Sequence, residues 1–152
     1  MTKRSGKSSD ALYKHILVPL ENSRYDLTIL DHIRPLARLM GSHVTIIHVA
    51  DGFMARNIDR FPDSPEIQDD TKYMEQCRDK LNADDFDVDA VLEFGDPAQK
   101  ILEYAGKNGC DLIAMATHGH RGVVDVILGS VANSIRHSTE IPVLLVKAPK
   151  KT

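Results

Sequence analysis

At 152 residues, 42% apolar and 27% charged, the sequence has the size and balance of one globular domain with its own core. A formal net charge of -3 gives no basic footprint for nucleic acid, and no apolar run reaches the roughly 20 residues that span a bilayer. Two cysteines, Cys77 and Cys110, are too few for a disulfide framework and are expected as buried thiols of a soluble, cytoplasmic protein.

Residues 1–12 begin polar, basic and Gly/Ser-rich, without the apolar segment of a secretory signal, and are expected to form a mobile tail. His15 to Leu20 is a short apolar run, read as a buried strand. Glu21-Asn22-Ser23 is polar and suited to capping a helix. Leu27, Leu30, Ile33, Ala37 and Met40 then recur at helical spacing, with Gly41 as the stop. Pro35 lies inside that pattern and predicts a bend near Asp31 to Pro35.

Val44 to Val49, rich in β-branched residues, is the second strand. Asp51 to Pro65 has no period and reads as a loop, with a short helical piece near Met54 to Ile58. Ile67, Thr71, Met74 and Leu81 share one helical stripe, with Asp69 and Asp70 assigned to its outer face. Asp84, Asp85 and Asp87 read as a solvated turn and strand entrance. Phe86, Val88, Ala90 and Leu92 alternate with polar residues, as in a half-exposed edge strand.

Asp96-Pro97 opens a helix with Asp as cap and Pro in the first position, its buried stripe being Ile101, Leu102 and Ala105 and its stop Gly109. Asp111 to Ala116 is nearly continuous in apolar residues, as in a central strand covered on both faces. A Gly-rich loop, a helix over Ser130 to His137 and a last strand over Ile141 to Val146 complete the domain, residues 13–148, with 149–152 a second tail. Strands and helices alternate throughout, so the fold class is α/β, a doubly wound parallel sheet with ligands expected beyond the carboxyl ends of its strands.

Two loops occupy that edge, Leu20 to Ser23 and the segment from Ala116-Thr117-His118-Gly119-His120-Arg121-Gly122 to Leu128-Gly129-Ser130-Val131-Ala132. Glycine admits close backbone approach. A helix beginning at Ser130 turns unpaired N–H groups and a positive dipole end outward, which suits phosphate. The same glycines are equally compatible with plain turns. Neither G-x-x-x-x-G-K-[ST] nor G-x-G-x-x-G occurs.

Ala116-Thr117-His118-Gly119, nine residues, then Gly129-Ser130, with Ile16 to Glu21, Ile46 to Val49, Gly95-Asp96-Pro97 and Ile141 to Val146, resembles the universal stress protein family and its ATP-binding pattern G-x-x-G-x9-G-[ST]. The resemblance covers Tyr13 to Lys147. It implies a Rossmann-like five-stranded sheet of order 3-2-1-4-5 that binds ATP, or AMP or ADP, with Mg²⁺ bridging the phosphates. By position, Pro19, Leu20 and Glu21 line the nucleoside, the backbone of Val49 meets adenine and Ala116 sits near the ribose. His118, Gly119, Gly129, Ser130 and Val131 surround the phosphates. A homodimer through Pro142 to Lys147 and a regulatory protein partner are also implied. The chain departs from the pattern at Ala116, where the first Gly stands, and at Glu21, where the family has Asp.

Arg121 is either a phosphate-neutralising cation or a solvated loop residue. His118 and His120 lack acidic or Cys neighbours at ligand spacing, so no dedicated metal site is expected. His48 is expected as a buried, satisfied histidine near the site, and Met40, Met54, Met74 and Met115 as packing residues. No general base with a partner is evident, so catalysis is expected to be weak at most. Three functions remain: a nucleotide-responsive regulatory module, a nucleotide-free dimeric interaction protein, or a slow ATPase or autokinase.

Overall fold

Five parallel strands alternate with four helices: β1 (His15–Pro19), α1 (Asp26–Met40), β2 (His43–Ala50), α2 (Pro65–Ala83), β3 (Val88–Phe94), α3 (Pro97–Lys107), β4 (Leu112–Thr117), α4 (Ser130–Ser138) and β5 (Val143–Lys147). The computed structural model describes residues 11–51, 57, 59, 60, 63–117 and 129–149. Residues 1–10 and 150–152 of the two tails, all but Asn57 of the piece expected near Met54 to Ile58, and residues 118–128 of the loop after β4 lie outside the described residues.

Strand order is β3-β2-β1-β4-β5, as expected. The side-chain alternation of a strand divides the core in two. Ile16 and Val18 of β1, Val44 and Ile46 of β2, and Leu112 and Ala114 of β4 pack with α1 and α2 on one face. Leu17, Ile47, Val49, Ile113 and Met115 pack with α3 and α4 on the other. Ile16, Leu17, Val18, Ile46, Ile47 and Ile113 are fully enclosed, which explains why β1, β2 and β4 read as apolar runs rather than alternations. β3 and β5 are the edges, and most of their residues are half-buried.

The helix ends follow local chemistry. Asp96 caps α3 by accepting from the Gln99 N–H at 2.8 Å, with Pro97 in the first turn. Ser64 caps α2 by accepting from the Ile67 N–H. Gly41 closes α1 in the left-handed region at φ 63°, its N–H turned to the carbonyls of the last turn.

Ser23 caps the turn that leads into α1, its hydroxyl accepting from the Tyr25 N–H at 3.3 Å and its carbonyl from the Asp26 N–H at 3.1 Å, and the helix proper starts at Asp26. Three expectations are corrected. Leu27 is 65% exposed and outside the stripe, whose inward members are Asp26, Ile29, Leu30, Ile33 and Ala37. Asp70 is buried, not on the outer face of α2. The edge strands are shifted: Phe86 is buried ahead of β3, which runs on to Phe94, and β5 begins at Val143 after Ile141-Pro142. α1 continues through Pro35 as one element. Among the methionines, Met74 and Met115 are core residues.

Candidate functional site

The sheet order reverses between β1 and β4, which pair through Ile16↔Leu112 and Leu17↔Ile113. In a parallel sheet all carboxyl ends share one edge, and each crossover helix starts there. The carboxyl ends of β1 and β4 and the first turn of α4 therefore share one edge of the sheet, at the switch point.

Pro19 ends β1 and is buried, opposite Ile47. Leu20 is buried at 3% exposure, and its N–H donates to the Ile47 carbonyl at 2.8 Å. Backbone groups of alternate residues in a parallel strand point to alternate neighbours. Ile47 serves β1, so Val49, two residues on, turns its N–H and C=O to the same side, beyond the point where β1 has ended. Ala116 is half-buried near the end of β4, opposite Val146.

Gly129 precedes α4 with no side-chain cap, Ser130 is the exposed first helical residue and Val131 packs at the margin of the core. Gly129 has φ -45°, which any residue adopts, and a Cβ built there meets nothing within 4 Å among the described residues. Among the described residues, neither the backbone conformation nor a packed neighbour asks for glycine at this position. His118, Gly119 and Arg121 lie outside the described residues.

The loop after β1 is held by residues that periodicity alone did not single out. Asp26 is 2% exposed. Its carboxylate accepts from the Glu21 N–H at 2.9 Å, the Ser23 N–H at 3.1 Å and the Tyr73 hydroxyl. Burial, then the Asp26 carboxylate, hold the Tyr73 phenol well above its usual range, so it stays a donor. Asn22 has φ 59°, a left-handed conformation that Asn tolerates better than most residues, and its amide donates to Asp70 at 2.9 Å. His48 is satisfied, as expected: Nδ1 lies 2.8 Å from the Leu20 carbonyl and Nε2 3.4 Å from the other Asp70 oxygen. The Ser23 hydroxyl donates to the Glu21 carboxylate at 3.4 Å. One signal for Asp26 was present in the sequence: it lies four and seven residues before Leu30 and Ile33, so helical spacing puts it inside and Leu27 outside.

Neither cysteine has the environment of a reactive thiol. Burial pushes Cys77 up, and burial, then Asp111, push Cys110 up to about 11. Among the described residues no group of three or more His, Cys, Asp or Glu is arranged to hold a metal ion, and no helix is long and apolar enough to cross a membrane.

The model of the universal stress protein family matches residues 12–147. The chain belongs to the universal stress protein family. It is similar to the universal stress protein MJ0531 of Methanocaldococcus jannaschii, at 30% identity with 95% of this chain and 88% of that protein covered. The solved structure of MJ0577, from the same organism, matches with a TM-score of 0.77 at 26% identity, covering 92% of this universal stress protein and 99% of that chain. A universal stress protein from Archaeoglobus fulgidus, solved in complex with dAMP, shares the fold, with a TM-score of 0.67 at 18% identity and coverage of 90% and 99%.

Proposed function

We propose that this universal stress protein binds an adenine nucleotide at the carboxyl edge of its sheet and acts as a nucleotide-responsive regulatory module. The observation that carries the reading is Gly129: a glycine in a conformation open to any residue, whose Cβ would meet nothing within 4 Å among the described residues, stands before a helix with no side-chain cap, which fits a ligand that comes too close for a side chain. The dAMP complex of the Archaeoglobus relative supports an adenine ligand on this fold.

Val49 offers adenine a backbone donor and acceptor, Pro19 and Leu20 a wall for the nucleoside, and Glu21 an acceptor for ribose hydroxyls. Ala116 is close to the ribose. The amides after Gly129, with Ser130 and Val131, take the phosphates, joined by His118, Gly119 and Arg121. ATP is the favoured ligand because, of ATP, ADP and AMP, it carries the longest phosphate chain for a helix start that suits phosphate. Mg²⁺ would sit on phosphate oxygens and water rather than on a protein cage.

The test is calorimetric titration with ATP and Mg²⁺ of the wild-type protein and Gly129→Val. The wild type should bind. The variant should lose binding, while its unfolding midpoint in urea stays close to the wild-type value, because a Cβ at Gly129 meets nothing within 4 Å among the described residues. No heat from the wild type at millimolar nucleotide rejects the reading.

A further inference from the structure

The helix α2 stands outside the proposed ligand residues, yet two of its side chains reach the turn that follows β1. Tyr73 donates to Asp26, which in turn accepts the Glu21 and Ser23 amides. Three residues earlier, one turn along the same helix, Asp70 accepts from Asn22 with one oxygen and faces His48 with the other, while His48 holds the Leu20 carbonyl. Four consecutive residues, Leu20 to Ser23, are thus fixed through a carbonyl, two amides and a side chain. Each of these contacts depends directly or through one intermediary on α2 or His48.

Such an arrangement exceeds what a surface turn needs. Asp26 and Asp70 are both buried carboxylates, 2% and 7% exposed, and buried carboxylates cost stability unless their acceptor sites are filled. Here they are filled by the turn itself. Asn22 is meanwhile held in a left-handed conformation that a free turn would not select.

We propose that Tyr73 and Asp70 are positioning residues of the nucleotide site, through which α2 fixes the Leu20–Ser23 turn and so sets where Glu21 meets the ribose. This rests on the nucleotide-binding reading above. Neither residue touches the ligand; each acts through Asp26, Asn22 or His48. α2 is thereby the element whose displacement would change ribose recognition.

The experiment compares wild type, Tyr73→Phe and Asp70→Ala. ATP and 2′-deoxy-ATP affinities are measured by calorimetry with Mg²⁺, and amide exchange of the ligand-free proteins by NMR. The wild type should prefer ATP. Each variant should lose about tenfold in ATP affinity, the scale of one charge-assisted hydrogen bond, and its preference for ATP over 2′-deoxy-ATP should fall toward one. Exchange at Glu21 and Ser23 should quicken in Tyr73→Phe while that of Ile16 to Val18 does not. A variant that loses affinity for both nucleotides in equal proportion, with exchange faster everywhere, shows loosened packing and overturns the inference. So do unchanged affinities, or a wild type without preference between the two nucleotides. A wild type that binds neither nucleotide defeats the nucleotide reading itself, and the inference with it.

Discussion

His15 shows how one side chain links stability to pH. Its Nε2 lies 2.7 Å from the Thr45 hydroxyl and its Nδ1 3.2 Å from the Asn108 carbonyl, an arrangement that satisfies the neutral ring. Burial, then the neighbouring His43, hold the imidazole below its ordinary 6.5. The unfolded chain therefore takes up this proton at a higher pH than the native protein does. Below about pH 6.5 the unfolded state carries more protons, so this contribution to stability is lost as pH falls and regained as it rises. The melting temperature should be higher at about pH 7.5 than at about pH 5.5 by a margin that shrinks in His15→Gln. An unchanged margin would remove His15 as the cause. Asp26 gives a second prediction at this scale. Asp26→Ala strands two amides and a phenol, and should cost about 2–4 kcal/mol in urea unfolding. Tyr73→Phe should cost only about 1 kcal/mol, since it removes one donor and little volume. Leu27 and Asp70 also mark where reading by residue type fails. Residue type places the leucine inward and the aspartate outward, but the Asn22 amide and His48 give the Asp70 carboxylate partners that let it be buried, while Leu27 is exposed.

The elements themselves were largely legible, because their signals are local. Continuous apolar runs gave β1, β2 and β4; Asp96-Pro97 and Gly41 gave a helix start and a helix stop. What was misread were the ends that depend on a distant partner. Ser23 caps the turn before α1, as its polar character suggests, but the helix proper begins at Asp26, whose carboxylate is buried against Tyr73, 47 residues away. The ligand edge was legible as a place, since β-α alternation fixes where the strand carboxyl ends lie. The bracing of its first loop was not, because Asp70 and Tyr73 belong to a helix whose polar residues all look solvated one at a time. Pro35 is a further case. It is exposed inside α1, which continues past it, so the helix forgoes the hydrogen bond from position 35 to Asp31. Pro35→Ala restores that donor and should stabilise the protein by about 1–3 kcal/mol, the scale of an interior proline's cost. A destabilised variant in urea unfolding would show that the proline ring is packed to advantage.

At the scale of the whole molecule, β3 and β5 each have a strand on one side only among the described residues. Open edges invite pairing with another chain, and the homodimer implied by the family resemblance would use β5. The register there determines how it can be tested. The Ile113 N–H donates to the Pro142 carbonyl, and the Ala148 N–H to the Thr117 carbonyl. Even-numbered residues of β5 therefore serve β4, and Val143, Leu145 and Lys147 turn their backbone groups outward. Proline at position 145 would remove an outward N–H and leave the bonds to β4 intact, a setting in which an edge strand tolerates it. Leu144→Pro would instead remove a donor from the internal ladder. If two chains pair along β5, the wild type should sediment as a dimer in analytical ultracentrifugation. Leu145→Pro should shift it to monomer with the far-ultraviolet circular dichroism of the folded protein retained, whereas Leu144→Pro should reduce folding itself. A Leu145→Pro protein that stays dimeric at the same concentration would place the contact elsewhere than on the backbone of this edge.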